Sequence, residues 1–318
     1  MIEGIRRIQE MMERESYVTD RAIATTTYLA SELRKPVLIE GQAGVGKTEI
    51  AKVLALALDT ELIRLQCYEG LDVNTALYEW NYPKQMLRIK MEEGRDISLD
   101  DQETHIFSDD FLLKRPLLRA ISAKDKAPVL LIDEVDRADE EFEAFLLEVL
   151  SDFQVTIPEL GTIKTEHRPY VVLTSNRTRE LSDALKRRCM YLWIDYPDFA
   201  KELRIITTKI PHINERLARQ IATFMQAIRK VKLNKTPGVA ETLDWALSMM
   251  ALHQDHLDPE TVRETLGAFI KDRDDVAKLR GKPLDILLGS MNGAEEEDLN
   301  EWIQSVTQKL ERETSASR

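Results

Sequence analysis

Five short runs of apolar and β-branched residues punctuate the first two-thirds of the chain. They are Pro36-Val-Leu-Ile-Glu40, Leu62-Ile-Arg-Leu-Gln66, Val129-Leu-Leu-Ile-Asp133, Tyr170-Val-Val-Leu-Thr174 and Met190-Tyr-Leu-Trp-Ile194. Several are continuous rather than alternating, the pattern of strands whose sheet is covered by helices on both faces. Helical patterns separate them, and this alternation predicts an α/β domain over residues 1–196. After Asp195-Tyr-Pro197 the strand patterns stop. Ile213, Leu217, Ile221, Phe224, Met225 and Ile228 recur at helical spacing. So do Val262, Leu266, Phe269 and Ile270, behind Asp258 as a helix cap and Pro259 at the first helical position. The prediction for 197–318 is an all-helical second domain. No internal repeat is visible.

Composition narrows the function classes. A length of 318 residues suits two domains, and 43% hydrophobic with 31% charged residues excludes a disordered or collagen-like chain. The longest apolar run, Val53–Leu58, has six residues, whereas a membrane-spanning helix needs about 20. The first residues, Met-Ile-Glu-Gly-Ile-Arg-Arg, lack the apolar core of a signal peptide. Cys67 and Cys189 lie 122 positions apart and supply neither a disulfide framework nor a Cys-x-x-Cys pair. These features lead to the expectation of a reducing, cytoplasmic setting. A net charge of −12 argues against nucleic acid as the main partner and favours a protein. Residues 281–318 hold four basic and eight acidic residues. The run Glu295-Glu-Glu-Asp298 reads as a solvated helix flank, and the last few residues as a frayed end.

The strongest chemical signal is Gly41-Gln42-Ala43-Gly44-Val45-Gly46-Lys47-Thr48, followed by Glu49 on the next helix. Glycine first and sixth, then lysine and a hydroxyl residue, is the phosphate-loop pattern. Backbone N–H groups must converge on a polyphosphate, so the chain must curl without side chains in the way. The helix that begins there adds its positive N-terminal end. Lys47 would reach the outer phosphates and Thr48 would coordinate Mg²⁺. A strand precedes the loop and a helix follows it, as the pattern requires. Val129–Glu134 then supplies two adjacent carboxylates at a strand tip: Asp133 to hold Mg²⁺, and Glu134, expected on the opposite strand face, to polarise the attacking water.

These residues resemble a known family. The Asp133-Glu134 pair is similar to that of P-loop ATPases with a catalytic glutamate. Val172-Leu-Thr-Ser-Asn176 resembles the sensor-1 strand of AAA+ ATPases, and Leu185-Lys-Arg-Arg-Cys189 resembles their arginine-finger segment. Within AAA+, Asp133-Glu-Val-Asp-Arg-Ala138 and Ile194-Asp-Tyr-Pro197 look like the MoxR family. Lys186-Arg-Arg-Cys189 and Trp193-Ile-Asp-Tyr-Pro197 look closest to its CoxD-like branch, linked to carbon monoxide dehydrogenase maturation. The core resemblance covers about residues 17–197. It implies a parallel five-stranded sheet of order 5-1-4-3-2, a helical lid and a homo-oligomeric ring of six subunits. It implies ATP and Mg²⁺ as cofactors. Asn176 would position water or sense the γ-phosphate. Arg188, with Arg187 as the fallback, would enter the next subunit's site; both could instead favourably cap a helix C-terminus. The partners implied are a protein client, a metalloenzyme receiving its cofactor, and a von Willebrand A-domain adaptor. One departure stands out. Where many members carry a sensor-2 arginine, Gly238-Val-Ala-Glu-Thr242 places Thr242.

Other features stay open. The family inserts a hairpin in the segment corresponding to 69–114, and Tyr78, Trp80 and Tyr82 alternate as on a hairpin strand. They would contact a client or anchor the insert. Residues 152–165, with Pro158 and Gly161, read as a further hairpin. Arg137 would reach across a subunit interface or form a surface salt bridge. His253 and His256, three apart on an expected lid helix, would share a metal or face solvent. The leading function is an ATPase that remodels a protein. The alternatives are a nucleic-acid motor or clamp-loader-like ATPase, and a nucleotide-dependent binding switch.

Overall fold

The structure is a computed structural model that describes residues 3–93 and 98–290. The acidic run Glu295–Asp298 and the chain's last residues lie outside them. The strands, in chain order, are β1 (Val37–Gly41), β2 (Leu62–Gln66), β3 (Tyr78–Trp80), β4 (Leu112–Lys114), β5 (Val129–Asp133), β6 (Gln154–Ile157), β7 (Gly161–Lys164), β8 (Tyr170–Ser175) and β9 (Met190–Ile194). Five of them form one sheet, in the order β2-β5-β8-β1-β9, with every pairing parallel. Numbered within this sheet alone, that order is 2-3-4-1-5, or 5-1-4-3-2 from the far edge. The whole-chain numbering differs because β3 pairs with β4, and β6 with β7, in two separate antiparallel ladders.

The chain divides into two compact units. One comprises the chain up to Glu15, Thr19–Gly41 and Lys47–Ile194; the other comprises Ser16–Val18, Gln42–Gly46 and the chain from Asp195 onward. In the first unit every residue of β1 and β5 is buried, which accounts for their unbroken apolar runs. Because the strands are parallel, their C-terminal ends share one edge of the sheet. The register sets Gln66 opposite Asp133 and Ile39 opposite Thr174. Gly41, Gln66, Asp133 and Asn176 therefore emerge on the same side.

In the second unit Phe224, Trp245 and Phe269 form the centre of the core, with ring centroids 4.4–5.6 Å apart. Trp245 Nε1 donates to Thr265 Oγ1 at 3.0 Å, so its one polar atom is satisfied. Arg229 and Glu202 form an ion pair in which the side chains are 5% and 0% exposed. Thr242 completes this cluster: its hydroxyl donates to Glu202 Oε1 at 2.8 Å and accepts from Arg229 Nη2 at 3.0 Å. Thr242 is thus committed to a buried network, where losing one charged partner costs about 3–5 kcal/mol.

Three expectations need correction. Tyr82 is not on a hairpin strand but begins the helix Tyr82–Glu92, because Asn81 caps it through Lys84 N and Pro83 favours its first turn. The insert is mainly helical, with Val73–Ala76 and Leu99–Ile106 completing it. Trp80 is 7% exposed and belongs to the core, so this aromatic anchors the insert. His253 and His256 share no helix face. The helix Val239–Ala251 has ended, and His253 adopts a left-handed φ of 55°. His256 contacts Asp255, and no group of three or more metal-ligating residues forms among the described residues. Finally, the helix opened by Asp258 stops at Glu264, and Leu266–Phe269 forms a second short turn of helix.

Candidate active site

The loop after β1 needs its glycines for identifiable reasons. A Cβ on Gly41 would meet the Ile194 carbonyl oxygen at 2.2 Å, and Gly46 has a φ of 91° that L side chains rarely adopt. The helix Lys47–Ala57 starts immediately after it. Gln42 and Ala43 are exposed and Val45 is buried, while Glu49 pairs with Lys52 at 3.5 Å. In the second unit the Gly44 carbonyl accepts from the backbone N–H groups of Val239 and Ala240 at 2.9 and 3.2 Å.

Lys47 is buried, and its Nζ donates to the Gly41 carbonyl and to Asn176 Oδ1, each at 2.8 Å. Burial pulls its pKa below the usual lysine range, partly offset by the negative charges of Asp136, Asp133 and Glu134. Thr48 Oγ1 donates to Asp133 Oδ1 at 3.0 Å. Asp133 also accepts from Thr174 Oγ1 at 2.5 Å and, through Oδ2, from Arg64 Nε and Nη2 at 3.1 and 2.5 Å.

Glu134 departs from expectation. It is not a strand residue facing the other way, because the chain leaves β5 at Asp133 and Glu134 takes a left-handed conformation, φ 54° and ψ 49°. A non-glycine residue there costs about 1–2 kcal/mol. Its N–H donates to Thr174 Oγ1 at 2.9 Å, which helps hold the turn. Its carboxylate accepts from Asn176 Nδ2 at 3.3 Å, Gln66 Nε2 at 3.1 Å and Arg137 Nη1 at 3.2 Å. Within the chain, Arg137 forms an ion pair with Glu134.

The fold therefore gathers Gly41, Lys47, Thr48, Asp133, Glu134 and Asn176. Arg187 and Arg188 are exposed and stand apart from this group; Arg188 Nε donates to Ser151 Oγ at 3.2 Å. Sequence reasoning missed Arg64, Gln66, Thr174 and Asp136. The buried Asp136 Oδ2 accepts from the N–H groups of Asn176 and Thr178, at 3.2 and 2.8 Å, and so fixes the turn that carries Asn176. Its place in the run Asp133–Ala138 was the available signal.

The residues fit a magnesium nucleotide. A glycine cradle, a buried amine, and a hydroxyl beside a carboxylate are what phosphates and a divalent ion held by few protein ligands require. Residues 36–189 match the family model of the AAA domain, dynein-related subfamily. Residues 36–189 carry an AAA+ ATPase domain. AAA+ ATPases use ATP with Mg²⁺, and they generally assemble as rings.

Among curated proteins, an uncharacterised protein of Staphylococcus haemolyticus is 25% identical over 226 residues, covering 69% of this chain and 78% of the relative. One from Staphylococcus aureus is 26% identical over 205 residues, covering 62% and 70%. The chaperone protein ClpB 2 of Parasynechococcus marenigrum is 29% identical over 195 residues, covering 55% of this chain but 19% of that much longer protein. Among solved structures, the Thermotoga maritima RuvB Holliday junction branch migration motor covers 95% of this chain and 87% of its own, at 18% identity and a TM-score of 0.45. That likeness is too loose to bear on function. No helix among the described residues is long and apolar enough to cross a membrane.

Proposed function

We propose that this chain hydrolyses ATP as a subunit of a homo-oligomeric ring, six-membered by resemblance, and uses the cycle to remodel a protein client. The observation that carries the hydrolytic part is the hydrogen-bonded path from Lys47 through Asn176 to Glu134. It sets a phosphate-binding amine and a water-orienting carboxylate in one frame. Lys47 would hold the outer phosphates, and Thr48 and Asp133 would hold Mg²⁺, which supplies charge neutralisation on the phosphate oxygens. Glu134 would orient and polarise the attacking water once its Gln66 and Arg137 contacts loosen. Arg188, exposed on its short helix, would serve the neighbouring subunit's site, where its fixed charge meets developing phosphate charge.

A protein client is supported by the helix Tyr82–Glu92. Tyr82, Met86, Leu87 and Met91 leave 56–61% of their surface exposed on it. These four side chains lie over one half of the helix circumference, with Lys90 among them, and methionine suits an adaptable contact surface. The finer reading, a MoxR-type ATPase serving a metalloenzyme through a von Willebrand A-domain adaptor, rests on the resemblance of Asp133–Ala138, Lys186–Cys189 and Trp193–Pro197.

Glu134→Gln protein, loaded with Mg·ATP, tests this reading. It should bind ATP, lose turnover, and retain from native lysate a metalloenzyme subunit or an A-domain protein only while ATP is present. Turnover equal to the parent's would remove Glu134 from its role. Companions indifferent to nucleotide would leave the ATPase standing without this purpose. ATPase activity per subunit that stays constant from monomer to assembly would remove the role of Arg188.

A further inference from the structure

The first unit contains a cavity of about 480 Å³ that the nucleotide chemistry does not use. Val37 and Tyr170, the first residues of β1 and β8, line it. It therefore lies at the N-terminal edge of the sheet. Five residues of β1 separate this edge from the phosphate loop, a span of about 16 Å.

Two arginines without an acidic partner, Arg34 and Arg168, are among the residues that line this cavity. Arg168 stacks on the Phe153 ring, with its guanidinium carbon 4.2 Å from the ring centroid, which leaves its N–H edge free. Arg34 follows the helix Arg21–Leu33 in a left-handed conformation, φ 52°, and lines the same space. Neither arginine forms a side-chain ion pair or hydrogen bond among the described residues, although Asp152 and Glu166 also line the cavity. Burial pulls the Arg168 pKa below the usual guanidinium range, and the positive charge of Arg34 adds to the effect. Lys35 and Lys164 add two further positive charges to the lining.

A second observation is independent of charge. Thr165, a half-buried residue of the cavity lining, has a buried Oγ1 with no hydrogen-bond partner among the described residues. An orphaned buried hydroxyl costs about 1–3 kcal/mol and calls for a partner from outside the chain. The floor, with Leu54, Leu58 and Val172, is apolar.

We propose that this cavity is a second ligand site, for a small organic phosphate. Its dianionic head would meet Arg34, Arg168 and Thr165, and its carbon body would lie against the apolar floor. The planar fork of arginine matches phosphate oxygens, and two such forks match a phosphate monoester better than a single carboxylate. The volume falls within the roughly 300–1,000 Å³ of small-molecule sites.

The test is calorimetry of the full chain with phenyl phosphate as probe, with the phosphate loop first saturated with Mg·ADP. One further site per chain is expected. Arg34→Gln and Arg168→Gln should each weaken it about tenfold while leaving Mg·ADP affinity unchanged. Unchanged Mg·ADP affinity also certifies that the variants fold. Arg168→Lys, which keeps the charge and loses the fork, should fall between. Absence of binding by both phenyl phosphate and inorganic pyrophosphate overturns the proposal, as does binding indifferent to both glutamine substitutions. It falls too if the variants change only the assembly state in sedimentation, since the arginines would then serve contacts between copies.

Discussion

Asn176 joins Lys47 to Glu134. Its Oδ1 accepts from Lys47 Nζ at 2.8 Å and its Nδ2 donates to Glu134 Oε1 at 3.3 Å. Only one orientation of the amide serves both neighbours, because the ammonium has no acceptor and the carboxylate no donor. One side chain at the end of β8 thus ties the amine that follows the phosphate loop to the carboxylate that follows β5.

Asn176→Asp separates the two halves of this bridge. The aspartate still accepts from Lys47, but it cannot donate to Glu134 and sets a second negative charge beside it. ATP binding should survive within a few-fold, and kcat should fall about a hundredfold, as for loss of a group that acts mainly in the transition state. Asn176→Ala should lose as much. Steady-state turnover beside nucleotide titration separates the effects; an Asn176→Asp protein with the parent's kcat would show the bridge to be structural.

Arg64 gives Asp133 a cation before any metal arrives. Two of its nitrogens reach Asp133 Oδ2, although the arginine side chain is 52% exposed and Asp133 5%. An exposed arm on a buried carboxylate can leave at modest cost. Arg64→Gln should therefore lower the Mg²⁺ concentration that half-saturates ADP binding, by about threefold to tenfold, corresponding to about 1 kcal/mol. An unchanged or higher Mg²⁺ requirement would mean that Arg64 orients Asp133 instead of competing with the metal.

The sheet was legible because buried parallel strands announce themselves as unbroken apolar runs. The phosphate loop and Asp133 were legible because their chemistry is local in sequence. Arg64 and Gln66 were not. In Leu62-Ile-Arg-Leu-Gln66 they look like the polar face of an edge strand, and only the register that sets Gln66 opposite Asp133 turns that face toward the site. Glu134 lies beside Asp133 and Asn176, but not on the strand face that alternation predicts, since periodicity says nothing about how a chain leaves a strand. Tyr82 fitted the alternation of Tyr78 and Trp80, but the cap at Asn81 and the proline behind it outweigh a three-residue pattern.

Both cysteines should be inert in the native protein. Burial, the largest cause in each case, pushes the thiols of Cys67 and Cys189 up to about 12 from an ordinary 9.0. At pH 8 the thiolate fraction then drops about a thousandfold, and alkylation slows with it. Iodoacetamide labelling followed by mass spectrometry should leave both unmodified in buffer and modify both in guanidinium. Native labelling of Cys67 at the rate of a free thiol would show the site edge to be open to solvent.

Lys47 carries an opposing stability cost. Burial lowers its folded-state pKa below the ordinary 10.5. Between the two values the unfolded chain binds the extra proton, so the stability of the nucleotide-free protein rises with pH through that window. Below both values the penalty for burying the ammonium is present in full. Lys47→Met removes the charge and keeps much of the volume. Without nucleotide its melting temperature at pH 7 should equal or exceed the parent's, and Mg·ADP should raise the parent's alone. The pairing of lost binding with undiminished stability marks a residue kept for its ligand. A nucleotide-free Lys47→Met protein that melts several degrees lower would reverse that sign, and would show that Asp133, Glu134 and Asp136 need the amine more than the fold resents burying it.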